Sequence, residues 1–181
     1  FPNWDAYSAR LLIAVLRKKG IDARLLEPSD LGIRKSMAHN TGQCIPVNIV
    51  VQDAIHYIEK HALDPANTLL WMSKSRLTCN FRLYPEYIKT LMDNYGQGME
   101  EVNVYEGMVS NLDISLHTSI QTYFAYMLGG LIRKMGCQVR PFELVPGSTN
   151  HVIESSLLLL ENAFGGHLDL ESAVIEMAGL F

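Results

Sequence analysis

Thr68-Leu69-Leu70-Trp71-Met72 and Val102-Asn103-Val104-Tyr105 are two short apolar runs, and the reading of the fold turns on them. The first is a continuous apolar run, the pattern of a strand covered on both faces. Between them, residues from about Tyr84 to Tyr95 place Ile88, Leu91 and Met92 at helical spacing, and Gly96 closes the segment. A strand, a helix and a second strand imply a right-handed crossover and parallel pairing.

The same alternation extends outward. Upstream, Ile49, Val50, Ala54, Ile55 and Ile58 mark a helix with Pro46 in its first turn. Before it come a loop, His39 to Cys44, and a short helix from Pro28-Ser29-Asp30 to about Ala38. Asp22 to Leu26 reads as a strand. Tyr7, Leu11, Leu12, Val15 and Leu16 form a helix that ends at Gly20, and residues 1–4 read as the stub of a first strand. Downstream, Ile120, Tyr123, Phe124, Met127, Leu128, Leu131, Ile132 and Met135 repeat at 3–4 spacing up to Gly136. Cys137 to Phe142 reads as a further strand. Val152 to Phe164 and Leu168 to Leu180 are closing helices, about 150–181. The expectation is a single three-layer α/β domain over 1–181, flavodoxin- or Rossmann-like. It has a mainly parallel sheet of about four or five strands with helices on both faces.

The chain has 181 residues, 48% of them hydrophobic and 19% charged, with a net charge of -4. That composition excludes a disordered chain and disfavours nucleic acid as a partner. Ile114 to Met135 is apolar but interrupted by His117, Gln121, Arg133 and Lys134, so no membrane span is expected. The three cysteines, Cys44, Cys79 and Cys137, lack CxxC spacing, which points to a reducing compartment, the cytoplasm. The first residue is Phe1, and the chain reads as a piece of a longer protein.

Ligands of open parallel sheets gather outside the carboxyl ends of the strands. Cys44 falls there, just before a helix, where backbone amides favour a thiolate. Cys79 follows a strand, with Lys74, Arg76 and Arg82 close in sequence. Two such thiolates could share a metal or an iron–sulfur cluster, and both could equally be small buried hydrophobes. Cys137 reads as a core residue. Lys74, Arg76 and Arg82 could receive a phosphate, as from an acyl-CoA, or line a solvated loop. The loop Pro146 to Asn150 could hold an anion on free amides, although a plain Ser or Thr cap is the simpler reading. His56 and His61 are five apart, off the spacing of a two-histidine metal site, and the other histidines are scattered. There is no GxxxxGK[ST] and no GxGxxG, so no ATP site is expected, and no Ser–His–Asp set can be named.

Six segments taken in order carry a resemblance. They are Pro2-Asn3-Trp4-Asp5-Ala6-Tyr7-Ser8, Asn40-Thr41-Gly42-Gln43-Cys44-Ile45-Pro46, Leu70-Trp71-Met72, Cys79-Asn80-Phe81-Arg82-Leu83-Tyr84-Pro85, Leu112-Asp113-Ile114-Ser115 and Thr122-Tyr123-Phe124-Ala125-Tyr126-Met127. The chain resembles the C-terminal region of the large activators related to 2-hydroxyacyl-CoA dehydratases, the CoA-substrate-specific enzyme activases. The resemblance implies an actin-like ATPase module elsewhere in the parent protein. In that family the module carries an iron–sulfur cluster and drives an electron into a dehydratase partner. It makes Cys44 and Cys79 the positions where cluster ligands could carry over. A four-iron cluster takes four ligands, so the rest would come from another part of the parent or a second chain. Three functions follow as expectations. One is an accessory module contributing cluster ligands. Another is a non-catalytic interaction domain positioning the ATPase module on its dehydratase-like partner. The third is an independent flavodoxin-like enzyme.

The long helix offers its own expectation. Its apolar stripe should be buried within the chain, with Ala125, Gly129 and Gly130 letting another helix approach and Tyr126 pointing away. An exposed apolar surface there would instead mark an assembly module.

Overall fold

The computed structural model describes residues 1–38, 44–72, 80–106 and 114–181. About 71% of these residues are helical and 4% are in strands. The chain divides into two compact units: Phe1–Asn3 with Leu26–Ser110 (unit 1), and Trp4–Leu25 with Asn111–Phe181 (unit 2). Among the described residues no helix is long and apolar enough to cross a membrane.

Unit 1 holds a βαβ element. Strand β1 (Leu69–Trp71) pairs in parallel with β2 (Asn103–Tyr105), Leu70 opposite Val104 and Trp71 opposite Tyr105. The crossover runs through α4 (Tyr84–Tyr95), which ends where Gly96 takes φ 78°. Upstream lie α2 (Asp30–Ala38) and α3 (Ile45–Lys60). The core joins Val47, Val51, Ala54, Ile55 and Ile58 of α3 to Ile88 and Met92 of α4. Leu70, Met72 and Val102 from the sheet complete it. One sheet face is thus covered, while Leu69 on the other is half exposed.

Unit 2 is a helical bundle of α1 (Ala6–Lys18), α5 (Leu116–Val139), α6 (Ser148–Gly165) and α7 (Leu170–Leu180). Asp5 caps α1, accepting from the Tyr7 amide at 3.2 Å and the Ser8 hydroxyl at 2.8 Å. Leu11 and Val15 of α1 meet Ile132 of α5, Leu157, Leu160 and Phe164 of α6, and Met177 of α7 in one core. Arg10 ties α1 to α6 through paired bonds to Glu154 (2.8 and 2.9 Å) and Glu161 (2.6 and 3.0 Å). Arg133 of α5 pairs with Asp5 and lies over the Tyr7 ring.

The expected three-layer sheet of four or five strands is not what forms. Among the described residues two strands form, in parallel and joined through α4 as anticipated, and the others are helix and irregular chain. Two expected strands fail for local reasons. Between Asp22 and Leu26, the Ala23 carbonyl accepts from the Arg17 side chain at 2.7 Å, and the Ala23 amide closes a tight turn onto Ile21. Those groups are then lost to a ladder. In the expected first-strand stub the Phe1 carbonyl accepts from the Leu26 amide at 2.8 Å, and residues 1–4 form no strand. Over Cys137 to Phe142, α5 continues to Val139 and a 3-10 turn follows at Arg140–Phe142. Gly136 does not stop the helix. A Cβ there would lie 2.6 Å from Ile153 Cδ1, so this glycine admits α6. Pro141, which has no amide to bond back to Cys137, is the residue that ends it. With the sheet reduced to one parallel pair, the flavodoxin-like enzyme loses its scaffold.

The long helix is also turned the other way. Its buried face carries Thr118, Thr122, Ala125, Gly129, Ile132 and Gly136. Ile120, Tyr123, Phe124, Met127 and Leu131, expected inside, are exposed, while Leu128 and Met135 are partly buried against the core. Ala125 and Gly129 do face inward as expected, whereas Gly130 is open to solvent. A Cβ on Gly129 would lie 2.5 Å from Ser8 Oγ and 2.8 Å from the Ser8 amide nitrogen. Backbone contact this close selects the small residues for the inner face.

Candidate functional site

The carboxyl end of the parallel pair in unit 1 is where the sequence places its candidate ligands. A 3-10 turn, Asn80–Leu83, leads into α4. The last turn of α3 is closed by the Leu63 amide on the Ile58 carbonyl, and Asp64 caps the short turn that leads into β1.

Cys44 occupies the N-cap of α3 in extended conformation (φ -61°, ψ 125°), with Pro46 in the first turn. Its carbonyl accepts from the Val47 amide at 3.2 Å. Its side chain is half-buried and packed against the unit 1 core. The sequence could find this position because Pro46 announces a helix start. Arg82 lies in the 3-10 turn and is exposed. Lys74, Arg76 and Cys79 lie outside the described residues, as does His39. Cys79 immediately precedes Asn80, the first residue of this turn, in sequence. Cys137, expected in a core, is exposed on α5 in unit 2, because the segment is helical and its inner positions are Ile132 and Gly136.

The open face of the sheet carries an aromatic stack that the sequence reading passed over. The Trp71 ring stacks on Tyr105 with centroids 4.1 Å apart, and Phe1 stacks on Trp71 at 5.5 Å. The signal was available, since parallel register pairs residues at equal places in the two runs.

Asp53 is the other notable group in unit 1. It is buried on α3, accepts from the Ser29 hydroxyl at 3.3 Å, and presses so close to Gly32 that a Cβ there would lie 2.2 Å from the carboxylate. The Ser29 oxygen in turn accepts from the Gly32 amide at 2.8 Å, capping α2. Burial pushes the Asp53 carboxyl above its ordinary value, against smaller opposing effects of Ser29 and His56. A raised folded-state pKa means stability falls as pH rises from the unfolded value through the folded one. Asp53→Asn should therefore flatten that acid-side slope and leave unit 1 at least as stable at pH 7. Urea midpoints at pH 4 and 7 check this, read from Trp71 fluorescence in a Trp4→Phe background. An unchanged slope would show that another group is responsible.

In unit 2, the loop read as a possible anion site is already occupied. The Glu143 carboxylate accepts from the Gly147 amide at 3.0 Å and the Thr149 amide at 3.1 Å. These bonds hold its pKa below the ordinary value, and Gly147, not Ser148 or Thr149, is the N-cap of α6. A cleft of about 540 Å³ between α1 and α6 is bordered by Arg17, Lys18 and His167. The ends of both helices meet there, and Arg17 and Lys18 offset their carbonyl dipoles.

The donor set can be compared with a cluster's needs. No group of three His, Cys, Asp or Glu close enough to hold a metal exists among the described residues. At the start of α3 they supply one thiol, Cys44. Comparison with family models, with curated proteins and with solved structures finds no match.

Proposed function

We propose that this chain is an accessory module of a cytoplasmic activator of 2-hydroxyacyl-CoA dehydratases. In this reading Cys44 and Cys79 give two thiolates to an iron–sulfur cluster that the ATPase module of the parent protein or a dehydratase-like partner completes. The supporting observation is the placement of Cys44 at the N-terminus of α3, packed against the core that includes Leu70 and Met72. The amides and dipole there favour the thiolate. The cluster, when bound, would supply one-electron chemistry. The chain's part is to supply the two thiolates, with Cys44 held against an apolar core. Lys74, Arg76 and Arg82 form the basic set for an acyl-CoA phosphate.

The test is anaerobic reconstitution with ferrous iron and sulfide, a small thiol being added to fill the remaining positions. Cys44→Ser and Cys79→Ser should each lower bound iron, and Cys137→Ser should leave it unchanged. No retained iron, or equal iron in the Cys44→Ser protein, would overturn the assignment.

A second reading, a non-catalytic interaction domain, is favoured by one specific observation, the exposed apolar face of α5.

A further inference from the structure

We draw no further inference here: the strongest candidate, the exposed apolar face of α5 that carries Leu116, Ile120, Tyr123, Met127 and Leu131, is a surface patch for which nothing in the structure shows what covers it.

Discussion

Replacing Gly129 by alanine is expected to destabilise unit 2 by about 1–3 kcal/mol, while the same change at Gly130 stabilises it by up to about 1 kcal/mol. The two glycines are neighbours on α5, and neither has the positive φ that would itself demand glycine. At Gly129 an added methyl group would sit 2.5–2.9 Å from Ser8 atoms, two of them backbone. Backbone cannot swing aside, so α1 and α5 must part and the contacts of Leu11 and Val15 loosen. At Gly130 nothing lies within 4 Å. Alanine there gains helix propensity without a clash. Urea titration of the two variants by circular dichroism checks both signs. Two effects of the same sign would mean that α1 does not cross α5 at Ser8.

The second large effect contrasts two positions on the same helix. Ile132→Asp should cost about 4 kcal/mol or more, because it removes a fully buried side chain and places a carboxylate among the apolar residues of the unit 2 core. Domain stabilities are about 5–15 kcal/mol, so most of unit 2's stability would be lost. Met127→Asp, at a site 52% exposed, should stay within about 0.5 kcal/mol. Thermal melts of both variants decide the matter. If Met127→Asp unfolds the protein and Ile132→Asp does not, the phase assigned to α5 is inverted.

That phase is also where the sequence misleads. Two stripes share the helical period on α5. Large apolar residues recur at 116, 120, 123, 127 and 131, and small ones with one isoleucine at 118, 122, 125, 129, 132 and 136. Hydrophobicity alone sends the first stripe inward. Helix separation reverses the choice, because α1 approaches within reach of a Cβ and only the small stripe admits it. The candidate site is half legible for a similar reason. Pro46 marks the start of α3, so Cys44 at its N-cap can be found by reading. The bond from Ser29 to Asp53 joins residues far apart in sequence and has no local signal.

By itself the sequence determined the helices and the crossover. Caps at Asp5 and Asp169, Pro46 in a first turn, Gly96 at a helix end and the 3–4 repeats act within a few residues. The two apolar runs with a helix between them set β1, α4 and β2 in parallel. Tertiary structure alone decided how many strands form and which side of α5 is covered. A strand needs a neighbour for its amides and carbonyls, and at Asp22 to Leu26 those groups turned to Arg17 and to a tight turn. A helix satisfies its own backbone, so its choice of buried face waits for the partner that packs against it, and here that partner is α1 at Ser8.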